Sequence, residues 1–293
     1  MTDIKDILKK VKKIEIKTHK LVEGLIAGNY RSVFKGMGME FSEVREYVPG
    51  DDIRAIDWNV TARYNYPFVK EFIEERDLNA YIIFDVSASN NFGNLKSKKQ
   101  AGFEIAASIM FAALRNNDNI GLCLFTDTVE KFIRPSKGRK HALRLLRELI
   151  SYEPKSRKTD INQSLAYSGK FIKKRSILFV ISDFISGDFE KPLKFLKGRH
   201  DVVLLNISDS VEHGIPDIGY VFLEDEETSE QVLVNTSDES FKKAYSSLIK
   251  KKISLLSSKM KKLRIDLVHL NTNEPFEIPI RKFFRLREKR MVR

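Results

Sequence analysis

The feature that most constrains the fold is a set of short apolar runs that recur along the chain after Leu78. These runs are AYIIFDVS, NIGLCLFTD, SILFVISD, DVVLLNISD and LRIDLVHLN. Segments with a helical spacing of apolar residues lie between them, the clearest being residues 97–117. Strands that are buried on both faces are almost wholly apolar, and parallel strands need long, usually helical, connections. We therefore predict an α/β fold: an open sandwich with a mostly parallel sheet and helices on both faces.

The rest of the chain predicts smaller additions to this sandwich. The run VEKFIRP is typical of an edge strand, and GYVFLED with EQVLVNT predicts an appended hairpin. Residues 1–77 differ in character, because residues 1–27 have helical spacing and the segment after them mixes aromatic residues with charges of both signs. We predict that residues 1–77 form a charged helical and irregular segment packed on the sandwich, and that the α/β domain spans residues 78–293.

Composition indicates the cellular compartment in which the protein occurs. No apolar run approaches the roughly 18 to 20 residues that a membrane span requires, and the first residues carry charges where a signal peptide would be apolar. The single cysteine, Cys123, lies in the apolar run IGLCLF, so we expect it to pack as a small hydrophobic side chain in a reducing compartment. We predict a cytoplasmic protein without a membrane span or an export signal.

The excess of basic residues that gives the chain its net charge of +12 lies entirely in the C-terminal part of the sequence. Residues 241–293 hold 16 Lys and Arg against 4 Asp and Glu, whereas the two signs balance in the rest of the chain. Part of this excess lies on a segment whose apolar residues recur at helical spacing, opposite its lysines: Leu248, Ile249, Ile253, Leu255, Leu256, Met260 and Leu263. The tail then places Phe283 and Phe284 among arginines, which suits either docking on the sandwich or contact with nucleic acid. A nucleic-acid or acidic-surface binder is therefore an alternative function.

Oxygen-bearing side chains follow the first apolar run at alternate positions. Asp85, Ser87 and Ser89 project to one side if the chain is extended, and ligands bind at the carboxyl ends of parallel strands. Thr159 before a helical segment and Asp183 after a later strand are placed to complete a shell of oxygens. Carboxylate and hydroxyl oxygens are hard ligands that suit Mg²⁺, Mn²⁺ or Ca²⁺. We predict a metal site formed by these five residues.

The sequence does not match the catalytic motifs of the enzyme classes that we considered. A phosphatase of the haloacid-dehalogenase type would need a second aspartate two residues after Asp85, where this chain has Ser87. Neither a Gly-x-Ser-x-Gly elbow nor a Walker A loop occurs, and the five histidines are scattered singly: His19, His141, His200, His213 and His269. We therefore predict a protein that is not an enzyme, and phosphoryl transfer at Asp85 is a less favoured alternative.

These motifs carry a resemblance to known proteins. The order Asp-x-Ser-x-Ser, Thr, Asp is similar to the metal-ion-dependent adhesion site of von Willebrand factor A domains. Upstream, residues 36–77 closely resemble the signature of the domain of unknown function 58 family of bacteria and archaea, with a specific core in GDDIRAIDW, Gly50 to Trp58. The resemblance extends over about residues 28–210 and implies a Rossmann-like von Willebrand A sandwich.

The resemblance also implies a function. Asp85, Ser87, Ser89, Thr159 and Asp183 would hold a divalent cation, and an acidic side chain of a protein partner would complete its coordination. Members of the family are typically encoded beside MoxR-type AAA+ ATPases, which makes such an ATPase the expected partner. On this basis we predict a non-enzymatic, metal-dependent interaction module that acts as an adaptor in protein assembly or activation.

Two residues depart from the family's pattern. Lys158 precedes Thr159 where a glycine is usual, and Phe184 follows Asp183 where a glycine is usual. An ammonium group that points into the site repels a bound cation. We therefore expect a low affinity for metal, and Lys158 offers a second way to bind the carboxylate of a partner.

Overall fold

The computed structural model forms two compact units. The described residues between 34 and 78 form the smaller unit, and the described residues on either side of them form the larger one. The described parts of the chain are residues 9, 11–15, 39–74, 78–88, 97–185, 187–209, 212, 214–225 and 227–291. The predicted N-terminal helix is therefore seen only at residues 9 and 11–15, which are helical, and its remainder lies outside the described residues.

The smaller unit is an antiparallel hairpin with a short helix between its strands. Strand β1 (Met39–Glu46) pairs with strand β2 (Phe68–Glu74), and helix α1 (Trp58–Tyr64) lies between them in sequence. Asp57 begins α1 by accepting hydrogen bonds from the backbone N–H groups of residues 59 and 60, as an N-cap does.

The larger unit is built on a six-stranded sheet, which confirms the predicted sandwich. Its order is β10-β7-β6-β3-β4-β5, and every neighbouring pair is parallel except β4 with β5. A separate two-stranded hairpin, β8 with β9, is the appended hairpin that the sequence predicted. The strands are β3 (Asn79–Asp85), β4 (Asn119–Phe125), β5 (Val129–Ser136), β6 (Ile177–Ser182), β7 (Asp201–Ser208), β8 (Tyr220–Glu224), β9 (Gln231–Asn235) and β10 (Asp266–Asn271).

Helices cover both faces of this sheet. The helices are α2 (Lys98–Arg115), α3 (Arg139–Ser151), α4 (Ile161–Phe171), α5 (Glu190–Arg199), α6 (Glu239–Leu263) and α7 (Glu277–Met291). Alternate residues of each strand face opposite sides, so Ile83 packs in the core with α4 and α5, while Phe84 packs against α2. Gly102 allows α2 to lie close to the sheet, because a Cβ atom there would come within 2.7 Å of the Phe84 ring.

The expectation for Cys123 is confirmed in its packing. Its side chain is fully buried in the core cluster beside Ile83, and burial raises the pKa of the thiol to about 11. Among the helices that the structure describes, none combines the length and the apolar character that crossing a membrane requires.

Helix α6 confirms the helical spacing of its apolar residues but buries few of them. Within this helix only Met260 is buried, and Leu248 and Leu255 are 60% and 56% exposed. Much of the stripe instead lines a cavity between α6 and the carboxyl ends of β6 and β7.

Candidate functional site

Asp85 is the last residue of β3 and is completely buried. It lies at the edge of the sheet where the parallel strands end, which we call the rim. Its Oδ1 accepts a hydrogen bond from the backbone N–H of Ser87 at 3.0 Å, and its Oδ2 accepts one from the Ser182 hydroxyl at 2.7 Å. Ser87 is buried as well, and its side chain also hydrogen-bonds to the Asp85 carboxylate. Strand β6, which ends at Ser182, is the direct neighbour of β3, so the two strands bring these oxygens together.

Asp183 follows β6 and is engaged by a buried lysine. The Lys98 ammonium group donates to Asp183 Oδ2 at 2.7 Å and to Glu212 Oε1 at 2.7 Å. Lys98 is the first residue of α2, and its side chain is only 2% exposed. An ammonium group of the chain itself therefore lies at the rim, where the sequence predicted a metal ion.

The pKa values of Asp85 and Lys98 at this rim differ from their ordinary values. Burial, and then the charge of Asp183, raise the pKa of Asp85 to about 6. Burial alone would lower the pKa of Lys98, but Asp183 and Glu212 together raise it above its ordinary value. The ammonium form of Lys98 is thus held firmly, while the carboxylate form of Asp85 is disfavoured.

Thr159 lies on the neighbouring loop, just before α4. The loops are in contact, because the backbone N–H of Ala88 donates to the carbonyl oxygen of Arg157 at 3.2 Å. The Thr159 hydroxyl donates to Glu227 Oε1 at 2.5 Å, and its backbone N–H donates to Glu227 Oε2 at 3.3 Å. Glu227 belongs to the turn between β8 and β9, so this loop already holds a carboxylate from the hairpin.

The predicted ligands are thus only partly assembled. Asp85, Ser87 and Asp183 lie together, whereas Thr159 lies on an adjoining loop with its hydroxyl bonded to Glu227. Ser89 lies outside the described residues. The metal site as a whole stays a prediction.

The donor set fits a hard cation in its chemistry. Within the described parts of the chain, no group of three or more His, Cys, Asp or Glu side chains could hold a metal ion. The predicted set instead combines two carboxylates with hydroxyl groups, which are oxygens that Mg²⁺ accepts. Burial, and then the charge of Asp183, disfavour the ionised form of Asp85, and a bound cation would favour it. Such a cation would share the rim with the Lys98 ammonium group.

The two departures from the family's pattern have different consequences. The Lys158 side chain is exposed, and its backbone N–H donates to the Ser156 hydroxyl at 3.2 Å. Phe184 has a φ of 53°, a left-handed conformation that glycine adopts without cost. Its ring is buried and packs on Phe189 at 5.8 Å between ring centroids. The backbone shape that a glycine would favour is therefore kept, at some cost in strain, and compensated by apolar packing.

Sequence reasoning missed several residues of this rim: Lys98, Ser182, Glu212 and Glu227. A signal existed for two of them. Lys98 lies three positions before Ala101 and seven before Ile105, both buried, so the helical phase places it on the buried face of α2. Glu212 follows the carboxyl end of β7, another parallel strand of the same sheet. No local pattern marks Glu227.

The basic C-terminal region is partly engaged in ion pairs. Arg287 pairs with Asp201 and with Asp266, and Arg290 pairs with Asp266 at 3.0 Å. Phe284 is buried, which agrees with docking on the sandwich. The nucleic-acid alternative stays open for the remaining cations of this region.

The family-signature segment has its own polar architecture. Arg45 donates to both carboxylate oxygens of Asp51, at 2.6 and 2.8 Å, and holds the pKa of Asp51 at about 2. Asp52 accepts from the backbone N–H of Arg54 and caps a short 3₁₀ helix, Ile53–Ala55. The signature therefore fixes the turn between β1 and α1.

The fold and the rim define an α/β sandwich protein with a buried acidic site at the carboxyl ends of its central strands. The match of a family model to residues 43–254 shows that the chain belongs to the family described as Protein of unknown function DUF58. This confirms the family that the GDDIRAIDW motif indicated.

The relatives that match this chain are uncharacterized proteins, so they add no function. An uncharacterized protein of Mycobacterium tuberculosis is 28% identical over 219 residues, which cover 73% of this chain and 69% of that protein. Uncharacterized protein YeaD of Bacillus subtilis is 33% identical over 109 residues, covering 37% of this chain and 25% of that protein. The conserved hypothetical protein BatB from Bacteroides thetaiotaomicron overlays with a TM-score of 0.46 and 12% identity, covering 72% of this chain and 99% of that one.

Proposed function

We propose that this chain is a non-enzymatic, von Willebrand A-like interaction module that binds an acidic group of a protein partner at the rim around Asp85. A divalent cation, Mg²⁺ or alternatively Mn²⁺ or Ca²⁺, would be held there by Asp85, Ser87, Ser89, Thr159 and Asp183. The cation would supply positive charge for the carboxylate of the partner.

The contact between Thr159 and Glu227 carries this proposal. The loop before α4 presents a hydroxyl and a backbone N–H to one carboxylate, at 2.5 and 3.3 Å. Hydrogen bonds to an ionised acceptor are stronger than neutral ones, so this pair of donors suits an acidic side chain. A carboxylate of a partner would use the same donors after displacing Glu227.

Electrostatics supports the cation in this proposal. A carboxyl group that is buried and lies beside another carboxylate keeps its proton to a higher pH, and the pKa of Asp85 is accordingly raised to about 6. A bound dication favours the ionised form and so binds in competition with protons. Binding of Mg²⁺ should therefore be weak at pH 5 and stronger at pH 7.5.

The biological role that we propose rests on the family resemblance and not on the geometry of the rim. We propose a cytoplasmic adaptor that works with a MoxR-type AAA+ ATPase in assembling or activating other proteins. The buried, reduced Cys123 supports a reducing compartment.

The first experiment measures Mg²⁺ binding alone. Titration calorimetry on the full chain should detect binding at pH 7.5 that is lost in Asp85→Asn. Asp188→Asn is the matched control, because Asp188 is an exposed carboxylate five residues after Asp183 and pairs with Lys259. The metal part of the proposal fails if the wild-type chain binds no Mg²⁺ or if Asp85→Asn binds equally well.

A second experiment tests the partner. The MoxR-type ATPase of the same organism is captured on the immobilised chain, with Mg²⁺ or with a chelator. We expect capture by the wild-type chain only with Mg²⁺, and none by Asp85→Ala. If the ATPase is captured equally well with a chelator and by Asp85→Ala, a metal ion does not link the two proteins. If it is not captured at all, this ATPase is not a direct partner.

A further inference from the structure

Helices α4 and α5 pack side by side on the same face of the sheet. Leu165 of α4 and Leu196 of α5 belong to one core cluster. A Cβ atom at Gly169 would lie 3.2 Å from the Leu196 side chain and 3.3 Å from the Phe195 ring, so glycine allows the two helices to approach closely. The exposed side chains of residues 161–176 and 191–199 therefore form one continuous surface, which we call the α4–α5 surface.

The charged residues of this surface are all basic. Residues 161–176 and 191–199 contain eight lysine and arginine residues and no aspartate or glutamate. The eight are Lys170, Lys173, Lys174, Arg175, Lys191, Lys194, Lys197 and Arg199. Seven are exposed and Lys197 is half-buried, and none forms an ion pair with a residue that the structure describes. The balance of the two signs outside the C-terminal part of the sequence hides this local excess.

The helix macrodipole accounts for only part of this arrangement. Cations are stabilised in the last turn of a helix, where Lys170, Lys197 and Arg199 lie. Lys191 is the second residue of α5, where the macrodipole disfavours a cation. Lys194 lies one turn further on, and like charges one turn apart on a helix repel each other. A polyanion that binds here therefore relieves repulsion between cations that have no partner.

Aromatic rings are interleaved with these cations. Tyr167, Phe171 and Phe195 are 44%, 46% and 50% exposed. The Lys170 ammonium group lies 5.7 Å from the centroid of the Tyr167 ring, and the Arg199 guanidinium group lies 4.7 Å from that of Phe195. The large exposed apolar side chains of α4 and α5 are thus all aromatic.

The composition of the surface favours a nucleic acid over other anionic partners. Six of the eight cations are lysines, and lysine is depleted at protein–protein interfaces. The apolar faces of α4 and α5 are buried in the core, so only isolated rings face outward, whereas a helix that binds a membrane turns its apolar face to the lipid. Exposed aromatic rings beside unpaired cations are the combination that binds single-stranded nucleic acid.

We infer that the α4–α5 surface binds single-stranded nucleic acid, with its phosphates on the cations and its bases stacked on Phe171 and Phe195. A single strand is favoured because only unpaired bases present their flat faces to side chains. The site is distinct from the rim, since Thr159 precedes α4 whereas Phe171 is its last residue. It adds a ligand class that the proposed function does not include.

The first test measures binding of a fluorescent oligothymidylate to the full chain by anisotropy. The strand has about twelve nucleotides, within the range that such sites cover. The competitors are the unlabelled strand, an abasic strand and a duplex of the same length, polyglutamate, and vesicles of phosphatidylglycerol. The unlabelled strand should compete about tenfold better than the abasic strand, because stacking adds to the electrostatic attraction.

The second test removes a stacking ring. Phe195→Leu should weaken binding of the oligothymidylate about tenfold, because a base loses the ring on which it stacks. The salt dependence of binding should not change, since no cation is removed. Phe222→Leu is the matched control, because Phe222 is an exposed ring of β8 outside this surface. It should bind like the wild-type chain.

The third test removes charge. Each phosphate contact with a single strand contributes about 0.7 to the slope of log Kd against log salt concentration, so Lys173→Gln combined with Lys174→Gln should lower this slope by about 1.4. The matched control is Lys251→Gln combined with Lys252→Gln, which removes two exposed lysines of α6. The slope of the control should equal that of the wild-type chain.

The inference is wrong if the oligothymidylate does not bind, if the abasic strand or the duplex competes equally well, or if either variant behaves like its control. Stronger competition by polyglutamate would show an acidic protein as the partner instead, and stronger competition by vesicles would show a membrane surface. None of these variants alters Asp85 or Thr159. Failure here therefore leaves the proposed function at the rim untouched, and failure of Mg²⁺ binding leaves this site untouched.

Discussion

The replacement Asp85→Asn should stabilise the protein at neutral pH in the absence of metal. The amide keeps the shape of the carboxyl group and removes its charge. Its oxygen can accept from the Ser87 backbone N–H, and its NH₂ group can donate to the Ser182 hydroxyl, which is free to rotate. These two hydrogen bonds can therefore be kept in the variant.

The magnitude follows from the pKa of Asp85. It rises from 3.8 to about 6 on folding, because burial and Asp183 disfavour the carboxylate. A rise of about two units, at about 1.4 kcal/mol for each, costs the folded protein about 3 kcal/mol once the group is ionised. The folded state binds the proton more tightly than the unfolded state, so wild-type stability falls as the pH rises from about 4 through about 6.

Urea unfolding with a chelator at pH 4.5, 6 and 7.5 measures this effect. Comparing the two proteins at each pH cancels the titration of the groups that do not interact with Asp85. We expect an advantage of about 1 kcal/mol for Asp85→Asn at pH 4.5, which grows to about 3 kcal/mol at pH 7.5. A difference that does not change with pH, or a less stable variant at pH 7.5, would refute the electrostatic reasoning.

Three further changes test other contacts of the rim. Lys98→Met should destabilise the protein by about 3 to 5 kcal/mol in urea, because it leaves two carboxylates without their buried cation, whereas Lys99→Met should cost about 1 kcal/mol or less; equal losses would contradict the role of Lys98. Phe184→Gly should be about 1 kcal/mol more stable than Phe184→Ala, because only glycine adopts the left-handed backbone without strain; the reverse order would refute this. Glu227→Gln should strengthen capture of an acidic partner about tenfold, because a charged competitor leaves Thr159; weaker capture would show that Glu227 assists the partner.

The strands were predictable because each had to be apolar on both faces. The run around Ile83 lies between β4 and β6 and under helices on both sides, so residues 80–84 are all buried. The position of Asp85 and Asp183 at the rim follows from the same rule, since Asp85 ends one buried strand and Asp183 directly follows another. Sequence alone does not give the order of the strands, and so it could not show that β3 and β6 are neighbours.

The partners of these carboxylates were harder to predict, because they depend on contacts between distant segments. Lys98 lies 85 residues from Asp183 and 114 from Glu212 in sequence. Glu227 reaches Thr159 from a hairpin 68 residues away. The helical phase indicates that Lys98 is buried, but no pattern in the sequence indicates which acidic residues it contacts.

The rim and the cavity are joined by one short segment after β6. The Ser182 hydroxyl donates to Asp85 and accepts from the backbone N–H of Phe184 at 3.1 Å. The left-handed backbone of Phe184 places its N–H toward Ser182 and its ring among the apolar residues that line the cavity. Binding of a proton or a cation to Asp85 changes the strength of the hydrogen bond that Ser182 donates to it. Because the same hydroxyl accepts from the backbone N–H of Phe184, the change also affects this backbone. Asp183 and Phe184 both line the cavity, so this short segment contributes to the rim and to the cavity alike.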